Sequence, residues 1–246
     1  MAELLVQQQG AVLELSLNRP EKKNALSQQM YRQLTAALAQ AAKDSSIHVV
    51  LLHGSADCFS AGNDLQDFLG AGELNSEHPT VQFLYQLAQF DKPLVAAVAG
   101  LAIGIGTTAL LHCDLVYAAD NARFQLPFTQ LGLCPEAGSS VLLPQLVGYQ
   151  RAAQYLLLGE AFGAAEALQM GMVNQVVDGG NLLQLARDKA AKLAALPADA
   201  VQSSRALLKR SSAPLTLETI AAELVQFQQL LNGEACQQRI AAFFKR

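Results

Sequence analysis

The sequence predicts an α/β fold in which parallel strands alternate with helices, followed by a mostly helical part. Two observations support this prediction. In the first half, short apolar runs at residues 49–53, 94–98 and 115–118 are separated by segments whose apolar residues recur at helical spacing. After Leu142 helical spacing dominates, and residues 173–177 form the one further run that is typical of a strand.

The N-terminal elements are predicted to be two strands and an amphipathic helix. Residues 4–6 and 12–17 flank a turn at Gly10, and Asn18-Arg19-Pro20 ends the second strand. Ser27 then lies near the start of a helix. The apolar residues that define the helix by their spacing are Leu26, Met30, Leu34, Leu38 and Ala41.

The middle of the chain combines a loop, a helix and two buried strands. Residues 70–80 are rich in Gly, Asn, Ser and Pro, which is typical of a mobile surface loop. Phe83, Leu84 and Leu87 indicate a helix. The strands at 94–98 and 115–118 enclose a glycine-rich turn and a short apolar helix.

The second half is predicted to be helical, with Pro197 and Pro214 separating helices. The predicted helices cover residues 151–158, 164–170, 182–195, 198–209 and 217–231. A boundary near residue 196 divides the chain into a core of residues 1–196 and a C-terminal helical region of residues 197–246.

Composition excludes several classes of protein. Of the 246 residues, 51% are hydrophobic and the formal net charge is -4, so nothing indicates a basic stripe for nucleic acid. The four cysteines form no CxxC pair, so a zinc or redox motif is not expected. The N-terminus lacks the features of a signal or transit peptide, and no run predicts a membrane helix. The expected location is the cytoplasm.

A first candidate site segment is Phe59-Ser60-Ala61-Gly62-Asn63-Asp64-Leu65. Its small residues would let a ligand approach the backbone, and free amides at a helix start can bind an anionic oxygen. From spacing alone, an ordinary strand-to-helix turn with Asp64 as its cap is the favoured interpretation.

A second segment, Gly100-Leu101-Ala102-Ile103-Gly104-Ile105-Gly106, resembles a dinucleotide-binding loop in its glycines only. The GxGxxG pattern is not completed, because Thr107, Thr108 and Ala109 follow. Close packing of a buried helix, with its amide end directed at a polar group, explains these glycines better.

Glu136 is the third candidate, within Leu131-Gly132-Leu133-Cys134-Pro135-Glu136-Ala137-Gly138-Ser139-Ser140. Pro135 favours a helix start, so Glu136 is predicted to lie in the first turn, where a carboxylate stabilises the helix dipole. The apolar neighbours allow a second interpretation. A buried carboxyl with a raised pKa suits a general base that works near neutral pH.

These three segments occur in order with Leu17-Asn18-Arg19-Pro20 and Asn24-Ala25-Leu26. Together they resemble the crotonase, or enoyl-CoA hydratase/isomerase, superfamily over essentially the whole chain. Segment 59–65 with Cys134-Pro135-Glu136 most resembles the monofunctional Δ3,Δ2-enoyl-CoA isomerases, including the peroxisomal type.

The resemblance implies a spiral of β-β-α repeats with a C-terminal helical region that forms a trimer or a dimer of trimers. It implies an acyl-CoA substrate with no metal and no separate cofactor, since coenzyme A is part of the substrate. Glu136 would carry the proton, and the backbone amides of Asn63 and Ile105, beside Gly104, would bind the thioester oxygen. The residues implied in coenzyme A binding are Lys22, Lys23, Ala25, Leu26, Ser60, Ala61, Gly62, Asp64 and Leu65.

Two departures from the hydratases of this superfamily decide the expected reaction. Hydratases carry glutamates where this chain has Thr108 and Phe128. Water addition needs groups that deprotonate water and deliver a proton. The expected activity is therefore isomerisation of a 3-enoyl-CoA. The alternatives are another crotonase reaction, such as a ring-derived acyl-CoA isomerase or a weak hydratase, and a non-catalytic CoA-thioester binding subunit.

Overall fold

The computed structural model describes residues 2–69 and 72–244 of the chain. Its larger sheet has six strands in the order β1-β2-β3-β5-β7-β10. β1 is antiparallel to β2, and the other neighbours pair in parallel, as the alternating pattern predicts. These strands are β1 (Leu4–Gln9), β2 (Val12–Leu17), β3 (Val49–His53), β5 (Leu94–Val98), β7 (Leu115–Ala119) and β10 (Gln175–Val177).

The smaller sheet was not predicted. Its order is β4-β6-β8-β9, and every strand in it has three residues, too few to show a period-two pattern. The strands are β4 (Cys58–Ser60), β6 (Leu101–Ile103), β8 (Arg123–Gln125) and β9 (Ala161–Gly163). The sequence prediction of a single strand after Leu142 is therefore wrong, because β9 precedes β10.

The helices follow the predicted ones closely. They are α1 (Gln28–Lys43), α2 (Leu65–Leu69), α3 (Pro79–Gln89), α4 (Ile105–Thr108), α5 (Ser139–Val147), α6 (Tyr149–Ala153), α7 (Ala164–Gln169), α8 (Gly179–Ala194), α9 (Ala198–Lys209), α10 (Ala213–Leu231) and α11 (Glu234–Phe243). A π-helical turn, Gln154–Leu158, continues α6. The last helix, α11, was missed. Of the predicted loop 70–80, residues 70 and 71 lie outside the described residues, residues 72–78 form loop and turns, and α3 begins at Pro79.

The strands and helices form the expected β-β-α repeats. The pairs β3–β4, β5–β6 and β7–β8 each place one strand in each sheet, and a helix follows each pair. The chain therefore turns repeatedly from the large sheet to the small one. This repetition brings the loops after β4 and β6 side by side.

Both faces of the large sheet are covered. All five residues of β3 are buried, which explains why its sequence shows no polar alternation. One face packs on α1, whose first turn is capped by the Ser27 hydroxyl, which accepts from the Met30 N–H at 3.1 Å. The other face packs on α8, with Ala186 and Ala190 against the sheet.

The C-terminal helices contribute to the main core. Ile220 and Phe227 of α10, and Cys236 and Ile240 of α11, belong to the same buried cluster as the strands. The division at residue 196 stays a prediction. No helix within residues 2–69 and 72–244 is long and apolar enough to cross a membrane.

Candidate active site

A cavity of about 1050 Å³ opens beside the small sheet. Its walls come from the segment before α1, from the loops after β4 and β6, from the segment after β8, and from α10 and α11. The lining includes the apolar residues Phe128, Leu131, Leu133 and Phe227 and the exposed Lys22 and Lys23. The cavity thus combines exposed charged side chains with an apolar surface.

The structure brings most of the predicted site residues to this cavity. Those that line it are Lys22, Lys23, Ala25, Ala61, Gly62, Asn63, Asp64, Leu65 and Gly104. Leu26, Ser60, Ile105 and Glu136 do not belong to the lining residues and are buried behind them. Direct contact of any of these residues with a substrate stays a prediction.

The loop after β4 is fixed by hydrogen bonds to the segment before α1. Ala61 N–H donates to Lys23 O at 2.9 Å, Leu26 N–H to Gly62 O at 2.7 Å, and Asp64 N–H to Leu26 O at 3.0 Å. This parallel pairing leaves out the N–H of Asn63, which is bonded to no acceptor within the described residues. That N–H remains available to a ligand.

The segment from the end of β6 into α4 packs closely, through glycines, on the end of β4 and the loop after it. A Cβ on Gly62 would lie 2.8 Å from Ile103 O, and one on Gly106 would lie 2.9 Å from Ser60 O. Gly104 has φ 54° and ψ −120°, a conformation that residues with a side chain rarely adopt. It places Ile105 as the first residue of α4, where an N–H has no partner within the helix. Within residues 2–69 and 72–244, neither the Asn63 N–H nor the Ile105 N–H is bonded to an acceptor, and the two lie on neighbouring segments.

Asp64 is engaged by the protein itself. Arg19 Nη1 lies 2.8 Å from its Oδ2, and Gln66 N–H donates to its Oδ1 at 3.2 Å at the start of α2. Burial opposes ionisation, but the Arg19 hydrogen bond and charge outweigh it and lower the pKa of Asp64. The side chain is therefore a helix cap and ion-pair partner, as the ordinary structural interpretation predicts.

The prediction that Glu136 lies in the first turn of a helix is wrong. α5 begins at Ser139, and Glu136 belongs to the irregular segment before it. Ala137 and Gly138 adopt left-handed conformations, with φ of 60° and 72°, so helical geometry cannot extend back to Glu136. The helix dipole therefore does not determine the environment of Glu136.

Burial determines the environment of Glu136 instead. The residue is 4% exposed, and Thr108 Oγ1 donates to its Oε1 at 2.6 Å. Within the described residues no donor is bonded to Oε2. Burial raises the pKa of Glu136 to about 8, the Thr108 hydrogen bond partly opposes the rise, and the Glu223 charge adds to it.

Tyr31 links Glu136 to the cavity wall. Its buried hydroxyl donates to Asn63 Oδ1, and the charge of Glu136 adds to burial in raising the pKa of Tyr31 well above its usual value. Tyr31 therefore interacts with both the cavity-lining Asn63 and the buried carboxyl.

Several wall residues escaped sequence reasoning. Arg239, Ile240, Ala242 and Phe244 reach the cavity from α11 and its end, more than 170 residues from the first loop. Phe227 comes from α10. Glycine-rich loops give a local signal, whereas these positions carry none, because only packing of the last helices brings them to the site.

Comparison with known proteins agrees with this geometry. The family model "Enoyl-CoA hydratase/isomerase" matches residues 7–246. A 2,3-dehydroadipyl-CoA hydratase of Escherichia coli is 38% identical, with 100% of this chain and 97% of that protein covered. Enoyl-CoA delta isomerase 2 of Rattus norvegicus is 33% identical over 99% of this chain and 63% of that protein.

The fold comparison gives the same result. The structure of Pseudomonas aeruginosa OdaA superimposes with a TM-score of 0.97 at 39% identity, and all of both chains is covered. The α/β architecture is therefore the crotonase fold, with its β-β-α repeats and C-terminal helices. The chain belongs to the enoyl-CoA hydratase/isomerase, or crotonase, family.

Proposed function

We propose that this protein is an enoyl-CoA isomerase that converts a 3-enoyl-CoA into the trans-2-enoyl-CoA. The observation that carries the proposal is the environment of Glu136. It is a buried carboxyl with one oxygen held by Thr108 and the other bonded to no donor within the described residues. The carboxylates that line the cavity are less suited, since Asp64 pairs with Arg19 and Glu21 is exposed.

The amides of Asn63 and Ile105 bind the thioester oxygen in this proposal. A C2 proton becomes acidic only when the negative charge that develops on that oxygen is stabilised. A single donor of this type contributes roughly 3–4 kcal/mol in measured enzymes. The contact between the two loops at Gly62 and Gly106 supports a fixed spacing of the two donors.

Glu136 then moves one proton. Its free Oε2 takes the proton from C2, and the electron pair of the broken C–H bond delocalises into a dienolate whose charge rests on the thioester oxygen. The protonated Glu136 returns the proton to C4, the double bond moves to C2–C3, and the carboxylate is regenerated. One carboxyl is sufficient because C2 and C4 lie on one short allylic system.

The cavity fits the two ends of an acyl-CoA. The exposed Lys22 and Lys23, which line the cavity, offer cations to the phosphates of coenzyme A. Phe128, Leu133 and Phe227 offer an apolar wall to the acyl chain. A spectrophotometric assay with 3-hexenoyl-CoA and 3-dodecenoyl-CoA tests the proposal directly, and absence of turnover with both would refute it.

Hydration is the second candidate, because a relative that is 38% identical is a hydratase. We predict that crotonyl-CoA is hydrated far more slowly than 3-enoyl-CoA is isomerised. Thr108 and Phe128 occupy the positions of the hydratase glutamates, and neither can deprotonate water. Measuring 3-hydroxybutyryl-CoA formation against isomerase turnover checks this. Comparable rates would show that other groups activate water here.

We also predict that the protein is a homo-oligomer, a trimer or a dimer of trimers. α9 exposes Leu207 and Leu208 to 69% and 82%, and the π-helical turn exposes Leu157 and Leu158 to 62% and 59%. Apolar area of this extent is unfavourable in contact with water. Light scattering at micromolar concentration should give at least three times the mass of one chain, and a single-chain mass would contradict the prediction.

A further inference from the structure

A buried carboxylate on α10 holds the segment that carries Glu136. Glu223 is 7% exposed, and its Oε2 accepts from Gly138 N–H at 2.6 Å. Its Oε1 accepts from Ser140 N–H at 2.9 Å and from the Ser140 hydroxyl at 2.6 Å. Three donors directed at two oxygens fit an ionised carboxylate; burial raises the pKa of Glu223, and these hydrogen bonds oppose the rise.

These donors belong to the turn that directly follows Glu136. The turn contains Ala137 in the left-handed region, which is unfavourable for a residue with a side chain and persists only where the surroundings enforce it. His112 also holds this turn, with Nε2 2.7 Å from Ala137 O. Burial lowers the pKa of His112 to about 4, so the neutral ring donates this hydrogen bond.

We infer that Glu223 is a positioning residue, which fixes the turn that carries Glu136 and places a second negative charge in the same buried region. The inference rests on the proposed role of Glu136 as proton carrier. Like charges in a buried region oppose each other's ionisation. Glu223 therefore acts on the base in two ways, through the backbone of residues 138–140 and through its field.

The other groups that face Glu136 do not change charge near pH 8. Tyr31 of α1 and Cys134 of the same segment interact with it electrostatically, and burial raises the pKa of both, that of Cys134 to about 11. Thr108 of α4 is neutral, and His112 is uncharged. Glu223 is thus the charged neighbour whose removal changes the ionisation of Glu136.

A stability comparison tests this inference without requiring isomerase activity. Thermal midpoints are measured against pH for the wild type, Glu136→Gln, Glu223→Gln and the double variant. The change in thermal midpoint caused by Glu136→Gln, plotted against pH, reports the titration of Glu136. It is obtained once with Glu223 present and once in the Glu223→Gln variant. In the Glu223→Gln background that titration should move to lower pH by on the order of one unit. An unchanged position would overturn the inference.

Kinetics separate the field of Glu223 from its hydrogen bonds. Glu223→Gln should lower kcat by about 10-fold to 100-fold through misplacement of the base. It should also move the rising limb of kcat/KM to lower pH. Ser140→Ala removes one hydrogen bond to Glu223 and keeps the Glu223 charge. The rising limb of its kcat/KM profile should therefore stay at the wild-type pH. A purely structural Glu223 would leave the limb unmoved in both variants.

A further variant guards against loss of folding. If Glu223→Gln does not fold, Glu223→Asp can be measured instead, because it keeps the charge on a shorter side chain. Its kcat should fall, whereas the rising limb of its kcat/KM profile should stay at the wild-type pH. Full kcat in Glu223→Asp would overturn the positioning role. A wild type without turnover on any 3-enoyl-CoA would refute the proposed function, whereas the stability comparison would still decide on Glu223.

Discussion

Replacing Glu136 with glutamine should lower isomerase turnover by about 10²–10⁴-fold, near the upper end for a sole proton carrier. The amide can still accept from Thr108 in place of the carboxyl, so the shape of the site is retained. Binding of the CoA product should survive, because Lys22, Lys23 and the loop after β4 line the cavity and are not changed by this substitution. Turnover and product affinity are measured together.

The same variant should show a distinct stability profile. The pKa of Glu136 is raised from 4.5 to about 8, so between these values the folded protein holds a proton that the unfolded chain releases. Protonated Glu136 therefore contributes stability that is fully present below its unfolded-state pKa of 4.5. That stability is lost as the pH rises through its folded-state pKa of about 8. Relative to the wild type, Glu136→Gln should gain stability from about pH 5 to about pH 9.

Glu218→Gln is the matched control for both measurements. It makes the same change on the exposed surface of α10 and should alter neither turnover nor the pH profile. Near-normal turnover in Glu136→Gln would end the assignment of Glu136 as proton carrier. A pH profile of stability identical to that of the wild type would show that Glu136 is not buried as a neutral acid.

Gly62→Ala should lower turnover by about 10²-fold, with a smaller effect on folding. The new Cβ would lie 2.8 Å from Ile103 O, so the loops after β4 and β6 must separate. Separation moves the Asn63 amide away from the Ile105 amide and weakens the site for the oxyanion. The measurement is kcat on a 3-enoyl-CoA, together with the thermal midpoint.

Gly72→Ala controls for backbone strain. Both glycines have positive φ, +91° and +82°, but a Cβ on Gly72 meets nothing within 4 Å. Both variants thus carry a cost of roughly 1–2 kcal/mol for alanine in this region, whereas only Gly62→Ala displaces a loop. Asn63→Ala keeps the backbone N–H and should retain much of the turnover. Full activity in a folded Gly62→Ala would contradict the assignment of this oxyanion site.

Sequence periodicity identified the helices that are long and apolar on one face. α1 was predicted because five apolar residues at helical spacing and Ser27 as its cap agree, and α9 was predicted with its observed bounds. β3 was recognised because a strand covered on both faces is apolar throughout. The three-residue strands of the small sheet were not recognisable, since their pairing depends on partners far away in the chain.

The candidate site likewise has parts that the sequence predicts locally and parts that depend on tertiary contacts. Segment 59–65 and Gly104 could be identified locally, because glycine is required where two backbones touch or φ is positive. The position of Glu136 was predicted wrongly because Pro135 favours a helix start, whereas the left-handed Ala137 and Gly138 delay the helix to Ser139. That turn is stabilised by Glu223, which is 85 residues away.

The amino-acid sequence by itself determined the α/β order of the elements, the glycine loops and the presence of one carboxyl in an apolar segment. These features follow from local propensity, periodicity and backbone sterics, which act over a few residues. Tertiary structure alone decided that Glu136 is buried and bonded to Thr108, that α10 holds its turn and that α11 lines the cavity. Burial and electrostatic fields depend on what packs around a group in three dimensions, so the pKa of Glu136 is a property of the fold.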